Sequence, residues 1–399
     1  MATQVKHPVW LPAAGQPGAS TFATLYALES IARASVASVI PIQAYELLQS
    51  EQRVSVLYTF AATMGLCITL LSPLLVARFA RRWVYSMGVV FLVVGAACFL
   101  TNSLAGQIGG MVFRVGGATM LSITLNLYIM DHIKKADFMR VESVRMAWSM
   151  VGWTVGPTLG VVLYTNYGLP AAHAVTVLSS AVLLVCFWYY RLGDNPVIVP
   201  GKSKAANPLK NVGRFFSQPR LRLAWVIAFG RSCFWTTFFV YGPILMVVTG
   251  EGKLAGGLLV SAGNALLFTA IGWGWAGKAY GARAVMAACF FAMTATLFAA
   301  GYAGEDYPII AGVFLLVCAL FTISLDALGS TAFMRAVRVW ERPQMTAVYR
   351  TYLDLSDLLP PLVYSIILGF FGLGSVFVAL GIFTAICGWL TWRYLPKSM

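Results

Sequence analysis

Apolar positions along this chain fall in long unbroken runs, not in the alternation of a half-buried strand or the three-and-four spacing of a soluble helix. Runs of about 20 residues, the length an α-helix needs to cross the hydrocarbon of a bilayer, occur at 21–45, 54–77, 83–101, 105–130, 143–165, 170–190, 222–248, 255–277, 284–302, 308–333, 345–370 and 373–394. They predict an all-α integral membrane protein with twelve transmembrane helices. The longest polar interval, RLGDNPVIVPGKSKAANPLKNVGRFFSQPRL, follows the sixth run. It divides the chain into an N-terminal tail (1–20), a six-span half (21–191), a linker (192–221), a second six-span half (222–394) and a short tail (395–399). Residues 208–217 of the linker read equally well as an amphipathic helix at the bilayer surface or as a plain tether.

Composition agrees with a lipid-embedded chain: hydrophobic residues make up 59% and charged residues 11%, with a mean hydropathy of +0.77. A soluble domain carries roughly 25% charged residues. The net charge of +14 would suggest nucleic acid in a soluble protein, but here the cations sit in the connectors. With the N-terminus in the cytoplasm, 21 of the 28 lysines and arginines fall on the cytoplasmic side and only Arg53 and Lys253 on the outer side. That bias places both termini in the cytoplasm. The expected location is a bacterial inner (plasma) membrane; the expected partners are the lipid bilayer, protons and a small-molecule substrate, with no nucleic acid, and the chain is expected to act as a monomer. Residues 1–20 have neither an apolar stretch nor a small-residue cleavage pattern, so the first span is expected to anchor itself. The seven cysteines lie within apolar runs without a CxxC pair and read as small core residues. No Walker-type phosphate loop, metal-ligand spacing or nucleophile elbow is present, and His7, His132 and His173 are scattered. No cofactor is expected, and a membrane receptor or intramembrane enzyme is the weaker alternative.

The informative positions are the charges inside the runs, because an ionised group at bilayer depth costs at least ~2.5–3.5 kcal/mol unless it faces a partner or a water-filled path. Arg114 sits in the middle of span 4. Glu29 and Arg33 lie one turn apart on span 1, either as an internal ion pair that holds the helix or as a proton-exchanging site tuned by Arg33 or Arg114. Arg231 on span 7 can neutralise Glu29 or Asp326, or bind an anionic substrate group. Asp326 on span 10 is a second proton or substrate candidate. On span 11, Arg350, Asp354 and Asp357 share one stripe. Arg350 is expected to pair with Asp354 as a structural or gate-closing bridge, Asp357 has no sequence-local partner, and a bend is expected at Pro360 and Pro361. Glu142 and Arg145 are expected at the membrane interface. Trp235 and Asn264 join Arg33, Arg231 and Asn126 as substrate-binding candidates. The aromatic residues of spans 7 and 8 read either as core and interface packing or as a substrate wall.

The halves repeat weakly. LSITLNL (121–127) parallels FTISLDA (321–327), setting Asn126 opposite Asp326. Counting back from Pro41 and Pro243 sets Glu29 opposite Arg231. Parallel six-span repeats are one known transporter plan.

Three stretches resemble the major facilitator superfamily. SPLLVARFARRWV (72–84) is similar to the loop motif between spans 2 and 3, keeping Arg78, Arg81 and Arg82 but with Ala77 and Ala80 at the usual acid and glycine positions; GKAYGARAV (277–285) is its weaker copy. FRVGGA (113–118) resembles the family's span 4 motif of an embedded arginine followed by glycine. GWTVGPTLG (152–160) matches GxxxGPxxG, associated with drug:proton antiporter branches. Independently of any family, Gly152, Gly156 and Gly160 form a bare stripe for close helix contact, and Pro157 can bend the helix. The resemblance implies two six-helix bundles with spans 1, 4, 7 and 10 around a central cavity. It implies alternating access and, as the best expectation, proton-coupled efflux of a small organic compound, with Glu29 and Asp326 carrying protons and Arg114 setting their affinity. The rival is uptake or exchange of an organic anion held by Arg33, Arg114 and Arg231.

Overall fold

The structure is a computed structural model that describes residues 18–133, 138–190, 208–337 and 342–396; the N-terminal tail to residue 17 and the linker at 191–207 lie outside them. Its helices, in chain order, are α1 (Ala19–Ala34), α2 (Val39–Leu48), α3 (Glu51–Arg78), α4 (Arg81–Leu100), α5 (Leu104–His132), α6 (Phe138–Tyr167), α7 (Leu169–Tyr189), α8 (Pro208–Ser217), α9 (Pro219–Val248), α10 (Lys253–Ala265), α11 (Ala270–Tyr280), α12 (Ala282–Ala303), α13 (Pro308–Ala336), α14 (Arg342–Tyr349), α15 (Thr351–Ile367) and α16 (Gly374–Tyr394). A 3-10 turn at Leu266–Thr269 joins α10 to α11. Short connectors make successive spans antiparallel. The end where α1 begins is called basal below, and the opposite end distal.

Among the described residues, eleven helices are long and apolar enough to cross a membrane, α1 with α2 counting as one and α10 with α11 as another. The twelfth expected span is carried in two pieces, α14 and α15, each too short alone. The helix is interrupted at Arg350, where the Leu353 N–H bonds only three residues back, to Arg350 O. α15 runs through Pro360 and Pro361 without a break, and the interruption of this span lies ten residues earlier. Residues 208–217 do form a helix, and its Phe215 is fully buried. α8 packs on α9 and α14.

Within the first half α1 packs on α6 and α7, and α4 on α5 and α7; in the second, α12 packs on α13 and α16, and α9 on α13, α15 and α16. The halves meet through α3 with α15, α6 with α10, and α2 with α9. The glycine stripe of α6 explains how span 1 is held. A methyl on Gly152 would lie 3.1 Å from Ile31 Cγ1, one on Gly156 2.8 Å from Ala34 Cβ, and one on Gly160 1.5 Å from Ser35 O. The stripe thus seats the last turn of α1 and the turn that follows it. That turn is where span 1 breaks: the Ala37 N–H bonds to Ala34 O and not to Arg33 O.

Polar contacts between the halves concentrate distally. Glu46 of α2 pairs with Lys253 of α10 at 2.6 Å and accepts a hydrogen bond from the Tyr164 hydroxyl of α6; the Lys253 ammonium lies 4.0 Å from the Tyr164 ring centroid. Ser55 Oγ and Tyr241 OH are 2.7 Å apart, Gln52 donates to Ser365 O, and Thr158 donates to Ser261 Oγ at 2.7 Å. The Glu46–Lys253 pair is about one-third exposed, so it contributes on the order of 1 kcal/mol. Glu46→Gln is therefore expected to raise the distally open population about fivefold. Faster maleimide labelling of a cysteine placed at the buried Ser55 would show it, and an unchanged rate would remove Glu46 from the closure.

Candidate functional site

A cavity of about 330 Å³ lies between the halves, lined by α1, α3, α5, α6, α9 and α15. Its ionisable lining is Arg33, Arg114, Tyr58, Asp354 and Asp357, with Trp153, Trp235 and Phe239 as the larger rings. Trp153 meets Phe239 across the halves, centroids 5.7 Å apart, and Phe239 stacks on Trp235 at 5.7 Å.

The basic wall is built on the break in span 1. Because Ala37 does not reach back to Arg33 O, that carbonyl is free, and Arg114 Nη2 donates to it at 3.1 Å. The carbonyl before it, Ala32 O, accepts from Thr176 Oγ1 at 2.8 Å. A cation at the C-terminal end of a helix meets the negative end of its dipole, so Arg114 is placed by charge as well as by hydrogen bonding. Arg33 Nη1 pairs with Glu29 Oε1 at 3.2 Å, one turn back on its own helix; the Glu29 side chain is 1% exposed and lies behind Arg33, away from the cavity lining.

The acidic wall is carried by α15. Asp357 is exposed to the cavity and accepts from Thr236 Oγ1 at 2.9 Å. Asp354, one turn basal, accepts from Thr69 Oγ1 of α3 at 3.3 Å, a polar tie between the halves on the basal side of the cavity. The expected Arg350–Asp354 bridge is corrected: among the described residues no ion pair within 4 Å joins them, Arg350 being exposed and Asp354 bound by Thr69. Behind the wall, Arg231 Nη1 donates to Asp326 Oδ1 at 2.6 Å, Arg231 Nη2 to Tyr352 OH at 3.0 Å, and Trp235 Nε1 to Asp326 Oδ2 at 3.0 Å. Of the two partners open to Arg231 in the sequence, the structure selects Asp326.

The remaining candidates lie elsewhere. Asn126 accepts from Arg145 Nη1 at 2.9 Å. Arg145 also binds Glu142 at 2.8 Å and stacks on Tyr26 at 4.5 Å. α6 starts at Phe138, about two turns before Arg145, and the Arg145 side chain is buried against the protein. Asn264 is buried at the end of α10 and donates to Val260 O, so it does not line the cavity. Arg78 ends α3, while Arg81 and Arg82 begin α4, with Arg82 6.0 Å from the Trp83 ring. Among the aromatic residues of spans 7 and 8, Trp235 and Phe239 face the cavity, Phe234 and Phe238 are buried, and Phe268 and Trp275 are exposed on the outside of the bundle. Sequence reasoning missed Thr69, Thr236 and Tyr352, hydroxyls that hold charged groups, and Thr176, which holds the Ala32 carbonyl at the break in span 1. It also missed the Glu46–Tyr164–Lys253 cluster, for which one signal was available: Lys253 is one of two basic residues on its side of the membrane in the topology drawn from the sequence.

A sequence model described as Major Facilitator Superfamily matches residues 22–272. No curated protein matches the chain. Among solved structures, a POT family transporter in complex with a thioalcohol-conjugated peptide superposes with a TM-score of 0.77 at 12% identity, covering 97% of this chain and 98% of that one. A peptide transporter POT in complex with sulfate gives 0.74 at 13% identity, over 96% and 97%. The nucleoside transporter NupG gives 0.71 at 12% identity, over 94% and 99%. At these identities the likeness establishes the fold. With the sequence match extending over more than half of its residues, the chain belongs to the Major Facilitator Superfamily, and it is a multi-pass secondary transporter of a small molecule working by alternating access, not an enzyme.

Proposed function

We propose that this transporter exports a small amphipathic organic solute in exchange for protons, and that the cavity aspartates are where the two meet. One observation carries this reading: among the described residues Asp354 and Asp357 line the cavity with threonine hydrogen-bond partners only, whereas Glu29 and Asp326 already hold arginines. A carboxylate without a bound cation is free to take up either a proton or a cationic group of the solute, and the two compete. In this reading Asp357 takes the central part of the exchange, Glu29 and Asp326 set the charge of the walls through Arg33 and Arg231, and Arg114 tunes the cavity. The lysine and arginine bias supports a cytoplasmic basal end, in what we take to be a bacterial inner membrane. In that orientation the Glu46–Lys253 cluster lies on the outer side and closes it. The GxxxGPxxG stretch at 152–160 supports export as the direction, and one chain carrying both halves supports a monomer. Uptake of an organic anion has less support, since Arg231, one of the three arginines it would use, is bound by Asp326.

The test is proton movement in everted vesicles acidified inside by respiration. Addition of solutes from a panel of aromatic amines, amino acids and organic acids is expected to collapse the pH gradient in vesicles carrying the protein and not in vesicles without it. Solute flux that proceeds unchanged when the gradient is abolished, or a gradient that no panel member perturbs, would overturn the coupling.

A further inference from the structure

Charge in the cavity is sorted by half. Arg33 and Arg114 stand on the wall from α1 and α5, and Asp354 and Asp357 on the wall from α15. Among the described residues no ion pair within 4 Å joins either guanidinium to either aspartate. Each group is instead tied locally: Arg33 to Glu29, Arg114 to Arg33 O, Asp354 to Thr69, Asp357 to Thr236. Opposite charges in one cavity are thus kept from closing on each other, and each retains unused capacity. Among the described residues Arg33 donates through Nη1 and Arg114 through Nη2 in one side-chain hydrogen bond each, and each aspartate takes a single threonine bond. Trp153, Trp235 and Phe239 lie alongside the two charged walls.

We propose that the preferred solute is a zwitterion with an aromatic or similarly apolar body, its carboxylate on Arg33 and Arg114 and its ammonium on Asp354 and Asp357; this rests on the transport reading above and names its substrate class. A simple anion would satisfy the basic wall and be repelled by two aspartates, and a simple cation would meet the reverse; a molecule carrying both charges is attracted at each end. The guanidinium fork suits a carboxylate, and an ammonium among aspartates and ring faces gains from both. Glu29 offsets one of the two arginines. After one ammonium is seated, one aspartate remains over, which is the proton site that exchange requires.

Equilibrium binding to the purified full-length protein, with no pH gradient, tests this with three probes on one frame: 4-(aminomethyl)benzoate, benzoate and benzylamine. Quenching of tryptophan fluorescence reads the site, since Trp153 and Trp235 line it. The zwitterion is expected to bind at least ~10-fold more tightly than either singly charged probe, a ratio worth about 1.4 kcal/mol. Arg33→Gln is expected to weaken the zwitterion and benzoate and spare benzylamine; Asp357→Asn is expected to weaken the zwitterion and benzylamine and spare benzoate. Benzoate or benzylamine binding as tightly as the zwitterion, or no saturable binding by any of the three, would overturn the proposal. The wild-type comparison needs no variant, so a variant that fails to fold leaves the test intact. Zwitterion binding without gradient-linked flux would sink the coupling and leave the substrate class standing. Gradient-linked flux of singly charged solutes alone would do the opposite.

Discussion

Asp357→Asn is expected to reduce gradient-driven solute movement by ~100-fold or more, the scale seen when a proton-transferring group is removed, while leaving the protein folded. The side chain is exposed to the cavity and makes one hydrogen bond, to Thr236. Asparagine keeps an acceptor for that bond at nearly the same volume, so stability should be almost unchanged. What is lost is a charge that exchanges a proton. Wild-type binding of a cationic solute should weaken as the pH falls, because proton and ammonium compete for the aspartates; Asp354, Arg33 and Arg114 are the other charged groups that face Asp357 in the cavity. In Asp357→Asn this dependence should flatten. Asp357→Glu should retain part of both behaviours. Measurement in proteoliposomes of pH-gradient-driven flux, alongside solute counterflow without a gradient, separates the two steps. Full gradient-driven activity in the asparagine variant would show that the exchanging proton sits elsewhere.

Gly160→Ala is expected to be the most damaging single methyl in the molecule. The added carbon would lie 1.5 Å from Ser35 O and 2.7 Å from Ser35 C, both backbone atoms that no rotamer change can move. Either α6 backs away from span 1 or the turn at 35–38 is rebuilt. Overpacking of this kind costs ~1–3 kcal/mol or more, and here it also disturbs the carbonyls that Arg114 and Thr176 hold. Thermal unfolding of the purified protein should show a clear loss of stability, and Gly160→Leu should yield little folded material. Leu159→Ala, one residue earlier on the exposed face of the same helix, is the control and should be close to neutral. Equal melting of Gly160→Ala and wild type would mean that span 1 can yield without cost.

The spans were legible because lipid imposes a length on apolar runs, and the charged positions were legible because charge is costly there. Local pairing was legible too, in Glu29 and Arg33 one turn apart. Distant pairing was left with alternatives: Arg231 and Asp326 are 95 residues apart, and the packing of α9 on α13 selects Asp326 over Glu29. Helix starts are not marked by apolar runs: α6 begins at Phe138, five residues before its run at 143. Proline removes one donor, which a packed transmembrane helix tolerates, so Pro360 and Pro361 do not locate the interruption, which lies at Arg350. The break in span 1 has no proline or glycine at 35–38 to announce it; it is held from outside, by a bare face of α6 and by donors from α5 and α7.

Trp235 faces the cavity with its ring and holds Asp326 with its indole N–H. If a solute stacks on the ring as proposed above and rotates it, that hydrogen bond is strained, and through Asp326 the strain passes to Arg231 and Tyr352. In that reading the residue beside the cargo is also a linchpin of three spans of one half, and loading of the carrier gains a direct means of loosening the frame that must rock.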